Sequence, residues 1–374
     1  MMMVRDEAEL VDCVRGAQGR LSLCGGATRG LVEGADALSL GGLSGITLYE
    51  PGSLTMVAGA GTPVAEVEAA LAEQNQRLAF EPMDHRGLLR TNGEPTIGGV
   101  FAANVSGPRR MVVGAARDFL LGVRFVDGRG KVVSNGGRVM KNVTGYDLVK
   151  LMAGSFGALG ALSEVSFKVL PKPETEATLV LHGLSDREAI AALALAMRSP
   201  FEVSGAAHVP QEGITLLRLE GFEASVGYRL SRLKELLAAQ AGEVEVLGAA
   251  GSAARWQAVR DVDAFHRAGG DVWRIACKPS QAPDLAEAAK ADAHLFDWAG
   301  GLLWCRVGAG VDLRARLGTF DGHATITRAA AKTLKQLGRF HPQQTGVARL
   351  TAGLRDRFDP RGIFHSEIGG LHAG

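Results

Sequence analysis

The chain has 374 residues with 41 basic and 40 acidic side chains, a formal net charge of +1. At roughly 100–200 residues per domain this implies two domains, at most three, with real cores. The balanced charge excludes a field that would hold nucleic acid or an anionic membrane. Glycine is the anomaly: 50 residues, about 13% against a usual ~7%, without a Gly-X-Y period, so the glycines are placed rather than repetitive.

Cys13, Cys24, Cys277 and Cys305 have no Cys-x-x-Cys spacing, which argues against a zinc site, an iron–sulfur cluster or a disulfide framework and for a reducing cytoplasm. The N-terminus reaches charge at Arg5 and has no apolar core of the sort a signal peptide needs. The longest uncharged run, Pro95 to Pro108, is rich in Gly and Asn and unfit to span a bilayer.

In chain order, Leu21–Leu23 reads as a strand entering Cys24-Gly-Gly-Ala-Thr-Arg-Gly30. Successive glycines let backbone N–H groups converge into an anion nest, with Thr28 adding a hydroxyl and Arg29 a charge for a phosphate. Leu31-Val32 stands where a Walker loop needs Lys and Ser/Thr, and a plain glycine-rich turn is the alternative. Thr55–Ala60 is a second strand, and Gly59-Ala-Gly61, with Glu81 about twenty residues on, imitates a dinucleotide fingerprint. Val64 in the third glycine position and Pro63, which lacks an N–H, count against it. Thr62-Pro63 followed by Val64, Val67 and Leu71 instead reads as an N-capped helix.

The run from Pro95 carries Thr96, Gly98, Gly99, Asn104, Ser106 and Gly107 and leads to Arg109, Arg110, Gly114 and Arg117-Asp118. Buried glycine-rich backbone without a ligand leaves many groups unpaired, so a large planar ligand is the simpler reading, with a packed structural loop as the alternative. Val123–Val126, Asp127–Gly130 and Lys131–Ser134 give a hairpin signal. A fourth glycine-rich stretch, Gly136–Gly160, gathers Lys141, Asn142, Tyr146 and Asp147, and Val165, Phe167 and Val169 alternate as in a half-buried strand.

A boundary falls at Leu170-Pro-Lys-Pro173. Beyond it Thr178–His182, Asp186–Arg198, Glu202–His208, Ile214–Glu220, Ala224–Gln240 and Val244–Leu247 spell β-α-β-β-α-β, the order of a ferredoxin-like unit. Val272–Cys277 and Leu302–Val307 are further strands flanking a helical stretch, Asp284–Ala291, and no sequence repeat is evident. From about Arg328 a basic helix-like segment leads to the turn-rich Phe358–Phe364.

Taken together these stretches resemble the FAD-binding domain of the vanillyl-alcohol oxidase/PCMH flavoprotein family, and within it most closely the FAD-binding subunits of bacterial glycolate oxidase complexes. Four motifs in order carry the resemblance. It implies an α+β fold: a PCMH-type FAD-binding domain of two α/β subdomains over 1–172, a reduced ferredoxin-like α+β cap over 173–327, and a segment 328–374 returning to the FAD domain. It places the FAD pyrophosphate on Gly25, Gly26, Ala27, Thr28, Arg29 and Gly30, and continues the site through Thr96, Gly98 and Gly99. Asn104-Val-Ser106-Gly107, Gly114 and Arg117-Asp118 fall beside the flavin, and Pro82, Gly160 and Leu162 complete the implied cofactor contacts. Asp359-Pro-Arg-Gly matches the family's C-terminal turn, whereas His365-Ser366-Glu367 departs from it.

Two further departures shape the expectation. Thr28 lies in the loop where some relatives carry a flavin-linked histidine, which implies noncovalent FAD. The metal-binding histidines of the catalytic 2-hydroxyacid dehydrogenases have no match here: His182, His208, His266, His294 and His323 form no close ligand pair in the sequence and read as ordinary surface or satisfied histidines. Removal of hydride from a 2-hydroxy acid requires a carboxylate clamp and a base. Arg109 and Arg110 are the candidates for the clamp, His85 and His341 for the base. The resemblance implies a larger FAD subunit and an iron–sulfur subunit as partners, a small 2-hydroxy acid as substrate, and a cytoplasmic location, peripheral to the inner membrane through partners. A stand-alone FAD oxidoreductase of another alcohol or hydroxy acid, and a non-catalytic flavin scaffold, are the alternatives.

Overall fold

The computed structural model describes residues 1–30, 35–138, 145–240 and 242–364; Leu31, Val32, Lys141, Asn142, His365, Ser366 and Glu367 lie outside the described residues. The chain divides into two compact units. One comprises Met1–Ser106, Gly114–Lys172 and the segment from Pro342, the other Gly107–Val113 and Pro173–His341.

In the first unit β1 (Met2–Met3), β2 (Leu21–Cys24) and β3 (Asp36–Ser39) form a small parallel sheet in the order β1-β3-β2. The helix Glu7–Gly16 starts at Asp6, whose carboxylate accepts from the Glu9 N–H at 2.8 Å, an N-cap that satisfies an otherwise orphaned donor. Its Leu10 and Val14 join Leu21 and Leu38 in one apolar cluster. A five-stranded antiparallel sheet contains β4 (Ile46–Glu50), β5 (Thr55–Gly59), β7 (Leu120–Val126), β8 (Val132–Gly136) and β9 (Ala161–Lys168), in the order β4-β5-β9-β7-β8. A two-residue pair, β6 (Gln76–Arg77) with β10 (Leu170–Pro171), closes the unit's strand list.

The sheet explains the imitation fingerprint. β5 is antiparallel to both neighbours, so the helix Val64–Ala72 that follows it is no crossover between parallel strands. A Cβ at Gly59 would overlap the Leu43 carbonyl, and one at Gly61 the Leu40 carbonyl. These glycines serve backbone packing. The expected hairpin is present as β7 and β8, with the Asp127 carboxylate accepting from the Arg129 and Lys131 N–H groups, both at 2.9 Å.

The tail returns to this unit. Leu21 N–H donates to the Ile363 carbonyl at 2.6 Å, and Asp359 caps the turn by accepting from the Ile363 and Phe364 N–H groups at 3.1 and 2.8 Å. Ile363 and Phe364 join the cluster around Leu21 and Leu38. Phe364 is 3% exposed, so Phe364→Ala is expected to cost about 3–5 kcal/mol through lost transfer energy and the cavity left behind. Urea unfolding followed by circular dichroism measures it, and a loss below about 1 kcal/mol would mean the tail does not dock in solution.

The second unit is built on one antiparallel sheet of eight strands. Its first half is β11 (Thr175–His182), β12 (Gly205–Val209), β13 (Ile214–Gly221) and β14 (Val244–Leu247), with helices Asp186–Met197 and Glu223–Leu236 between them. The second half is β15 (Asp271–Cys277), β16 (Ala293–Asp297), β17 (Leu302–Val307) and β18 (Gly322–Arg328), with helices Ala282–Ala289 and Leu313–Leu317. The order β14-β11-β13-β12-β16-β17-β15-β18 is therefore one β-α-β-β-α-β unit followed by its mirror order, joined through β12 and β16. A repeat absent from the sequence is present in the fold.

The helices Asp186–Met197, Glu223–Leu236 and Ala282–Ala289 cover one sheet face, and Leu179, Leu217, Trp273, Ile275, Phe296 and Leu303 lie in the core there. On β13 the alternate residues, Arg218 and Glu220, point to the opposite face, as Arg274 does on β15. The unit runs to His341, beyond the expected boundary at 327, because Ile326 N–H donates to the Arg339 carbonyl at 2.9 Å and ties the segment after β18 to the sheet.

Candidate functional site

The first glycine loop leaves β2 at Cys24. A Cβ at Gly25 would overlap the Thr96 side chain and one at Gly26 the Glu94 carbonyl, so the loop lies backbone to backbone on the segment 93–96. Ala27 takes a left-handed conformation (φ +55) that turns the chain. The Arg29 guanidinium donates to the Gly99 carbonyl at 2.5 Å, and the Thr91 hydroxyl to the Thr28 carbonyl at 2.8 Å. The N–H groups of Gly25, Gly26, Ala27 and Thr28 have no hydrogen-bond acceptor among the described residues. Four consecutive partly exposed amides held in one bend form an anion nest, so the residues present fit a dinucleotide pyrophosphate.

The second stretch contributes differently. Thr96 caps the helix Ile97–Ala102, accepting from Gly99 N–H at 3.3 Å, while the amides of Ile97 and Gly98 donate to Thr62 and Ala60 carbonyls, both at 2.9 Å. Gly98 has no space for a Cβ beside Ala60. This segment's own amides are satisfied internally, and its part is to hold the first loop in place. Asn104 is left-handed (φ +50), and its side-chain oxygen accepts from Arg117 N–H at 2.8 Å; Ser106 accepts from Ala116 N–H at 2.9 Å, and Asp118 from Ala115 N–H at 2.8 Å. The motif's polar side chains thus tie residues 104–106 to the segment 115–118. Gly114 is confined there, with φ +93 and a Cβ position 2.8 Å from the Asp118 carboxylate.

Pro82 is buried, and Gly160 (φ +159) and Leu162 sit at the start of β9 in the same unit. Ser155 is nearly buried and its hydroxyl has no hydrogen-bond partner among the described residues, a polar group available to a ligand that sequence reasoning passed over. Asp147 caps the helix Leu148–Met152, accepting from Lys150 N–H at 3.1 Å, and Tyr146 is exposed; both are structural or solvent-facing here. His85 precedes the short helix Arg86–Leu89, next to an ion pair of Asp84 with Arg86 at 2.8 Å.

In the second unit the two clamp candidates part company. Arg109 is buried and grips Glu220 with three hydrogen bonds at 2.7–3.1 Å, with Glu176 at 3.7 Å. Two carboxylates already hold it, so it is unsuited to be the clamp, and its part is to anchor Gly107–Val113 to the sheet. Arg110 instead lies 4.8 Å from the ring centre of Trp298, and Arg274 lies 4.9 Å from the same ring. His341 accepts from Ala324 N–H through Nδ1 at 3.2 Å, and its pKa is lowered by burial and by the Arg314 charge. His323, read as an ordinary histidine, has its pKa lowered by burial and by the charges of Arg274, His341 and Arg110. The lowered pKa favours the neutral form of both imidazoles, but His341 Nδ1 already accepts from Ala324 N–H, so its ring proton sits on Nε2 and no open lone pair is left to take a proton.

Two histidines that read as separate converge. His208 Nε2 is 3.3 Å and His294 Nε2 2.7 Å from the two oxygens of Asp186. Burial works to raise the Asp186 pKa, and the hydrogen bonds and charges of His208 and His294 more than offset it, holding the carboxyl well below its ordinary value. A carboxyl with a depressed folded-state pKa adds stability above its unfolded pKa, which is lost as pH falls. Asp186→Asn is therefore expected to flatten the decline of stability between about pH 5 and pH 3; urea midpoints across that range give the slope, and parallel wild-type and variant curves would contradict it. No group of three or more His, Cys, Asp or Glu side chains placed to hold a metal occurs among the described residues.

Comparison with known proteins agrees with this geometry. The family described as FAD binding domain matches residues 2–136. The chain is 37% identical over 323 residues to the glycolate oxidase subunit GlcE of Escherichia coli, covering 86% of this chain and 83% of the relative. It is 42% identical over 85 residues to the glycolate oxidase subunit GlcD of Bacillus subtilis, covering 23% and 18%. Among solved structures, a VAO-type flavoprotein of Myceliophthora thermophila superposes with a TM-score of 0.68 at 14% identity over 98% of this chain and 78% of its own. An alkyldihydroxyacetonephosphate synthase gives 0.69 at 14%, over 97% and 76%; at such identity these two show the fold alone. With a relative matched at 37% identity across most of both chains, the protein belongs to the family of the glycolate oxidase subunit GlcE and has the VAO-type fold.

Proposed function

We propose that the chain is the FAD-binding subunit of a glycolate-oxidising complex and that its substrate is a small 2-hydroxy acid. The observation that carries this reading is the set of open amides at Gly25–Thr28 within a chain 37% identical to GlcE. These amides and the charge of Arg29 hold the pyrophosphate, and Asn104 and Ser106 with Gly114, Arg117, Asp118, Pro82, Gly160 and Leu162 flank the rest of the cofactor. Bound flavin supplies a hydride acceptor. The chain's own part is to fix the cofactor, bind the carboxylate of the substrate and remove the hydroxyl proton, for which His323 is the candidate. Cys13, Cys24, Cys277 and Cys305 are free thiols, so electrons leave through other polypeptides, a larger flavin subunit and an iron–sulfur subunit. Among the described residues no helix is long and apolar enough to cross a membrane.

The test is to purify the chain alone, add FAD, and record the flavin spectrum before and after anaerobic glycolate. The expected result is a yellow protein whose flavin is released on acid precipitation and which gains glycolate oxidation when co-expressed with its partner subunits. A chain that stays colourless after FAD addition would overturn the reading. Bleaching by glycolate without partners would assign it an autonomous activity instead.

A further inference from the structure

We propose that the helix Thr345–Phe358 of the first unit is a docking element, and that its occupant is a partner subunit presenting an apolar groove with carboxylates at its rim. The partner's identity as a subunit of the glycolate-oxidising complex rests on the functional reading above.

The first reason is that the helix has little of its own to hold it. It has 14 residues, a length at which an isolated helix is marginal in water. Gln344 at its N-cap makes no side-chain hydrogen bond and no acid stands in its first turn, so neither a cap nor the dipole supports its start. Its last turn is tied to the unit: Gly128 N–H donates to the Phe358 carbonyl at 2.8 Å, the Arg129 guanidinium to the Arg357 carbonyl at 2.7 Å, and the rings of Phe358 and Phe125 lie 6.0 Å apart. None of its side chains is buried among the described residues. Helices in folded proteins are stable mainly because an amphipathic face packs, and here that face is still open.

The second reason is the composition of the open side. Ala348, Thr351, Ala352 and Arg355 are half-buried and mark the side toward the unit. The opposite side carries Gly346, Leu350, Gly353 and Arg357, at i, i+4, i+7 and i+11, with Val347 and Leu354 beside them. Leu350, Val347 and Leu354 are 68%, 49% and 37% exposed, and their spacing is that of a helix whose apolar anchors enter a groove. The two glycines point the same way. Glycine weakens a helix interior, and a Cβ at Gly346 or Gly353 would meet no atom within 4 Å. Nothing in the described chain requires their bareness, whereas close approach by another surface does.

Charge selects the occupant. The helix carries Arg349, Arg355 and Arg357 against a single acid, Asp356, which lies off the outward stripe. A second copy docking helix to helix would therefore bring no carboxylate to Arg357. A membrane surface is the weaker match. An interfacial helix needs a strongly basic polar face and a broad apolar one, whereas this helix offers three aliphatic anchors, and its aromatic residue, Phe358, packs on Phe125. A different chain, with an apolar groove for Val347, Leu350 and Leu354 and a carboxylate for Arg357, meets every feature.

The experiment follows amide exchange in the full chain, alone and bound to the purified flavin and iron–sulfur subunits of the complex, and measures that binding at low and high salt. Wild type, Leu350→Glu, Gly353→Ala and Arg357→Gln are compared, with FAD uptake and circular dichroism melts to verify folding. In the chain alone the amides of Leu350–Leu354 are expected to exchange freely, and in the complex they should slow by at least about tenfold. Leu350→Glu should weaken binding about tenfold or more, the scale of one buried leucine, and leave FAD uptake unchanged. Gly353→Ala separates docking from helix stability: alanine strengthens the helix, so exchange in the chain alone should slow while binding weakens about threefold or more. Arg357→Gln should weaken binding and lessen its salt dependence. Slow exchange in the wild-type chain alone, self-association abolished by Leu350→Glu, capture by phosphatidylglycerol vesicles in place of the subunits, or unchanged binding of Leu350→Glu would each overturn the docking helix. A chain that takes up FAD but shows any of these leaves the functional reading intact; one that binds the subunits through Leu350 but never takes up FAD supports the docking helix and overturns that reading.

Discussion

Gly26→Ala is expected to lower FAD affinity by at least about 100-fold, roughly 3 kcal/mol. The added Cβ would meet the Glu94 carbonyl, which is backbone, and the two segments are packed so closely that a Cβ at Gly93 would likewise meet the Gly26 carbonyl. Relief requires the two loops to separate, and separation disperses the amides of Gly25–Thr28 that make the nest. Gly25→Ala should do less. Its obstacle is the Thr96 side chain, whose Oγ1 can rotate away by giving up its cap on Gly99 N–H, a loss of about 1 kcal/mol, while the Thr96 Cβ at 2.9 Å is relieved by a small backbone shift. Gly30→Ala should do least: φ is +81 but no atom lies within 4 Å of the new Cβ, so only the left-handed penalty of about 1–2 kcal/mol applies. Flavin fluorescence titration ranks the three. Equal affinities for Gly26→Ala and wild type would show that the loop does not hold the cofactor.

Much of the first unit was legible because its glycine loops are local. A strand followed by Gly25-Gly26 shows where backbone must crowd, even though it does not show against what, and the partners at Glu94 and Thr96 come from about seventy residues further on. Glycine's permissiveness also misleads: Gly59 and Gly61 fit a phosphate fingerprint by spacing, and only the antiparallel pairing of β5 shows that they serve packing. In the second unit the β-α-β-β-α-β order was readable from alternation and helical spacing. The repeat of that order was hidden, because β16 (Ala293–Asp297) is brief and carries His294 beside its core residue Phe296, while β18 (Gly322–Arg328) interleaves His323, Thr325 and Thr327 with only Ala324 and Ile326 in the core. The site residues there were the least legible. Arg109 and Arg110 are neighbours in sequence with the same chemistry, and what separates them is Glu220 on one side and Trp298 on the other, each over a hundred residues away.

Glu220→Ala should destabilise the second unit by about 3–5 kcal/mol, the usual result of breaking a buried ion pair from one side. Glu220 is bound by Arg109 at 2.7 Å and approached by Arg218 at 3.8 Å, and the side chains of Glu220 and Arg218 are 6% and 1% exposed. Removing the carboxylate takes the closest acid from two guanidiniums on one sheet face, with Glu176 at 3.7 Å from Arg109. A guanidinium cannot shed its proton, so this deficit should not change between about pH 7 and pH 5. Arg109→Met creates the opposite fault, a buried carboxylate short of one partner. A carboxylate can relieve itself by taking up a proton, so the folded-state pKa of Glu220 rises, the folded variant binds more protons than the unfolded chain, and its deficit should shrink as pH falls through the same range. The double variant Arg109→Met/Glu220→Leu replaces both charges with apolar groups and should regain most of the loss, because the cost in each single variant lies in the charge left behind rather than in the bond removed. Urea unfolding of the four proteins at the two pH values completes a double-mutant cycle. If the double variant were as unstable as the sum of the singles, the pair would contribute through packing, and Arg109 would not be the residue that anchors Gly107–Val113 by its charge.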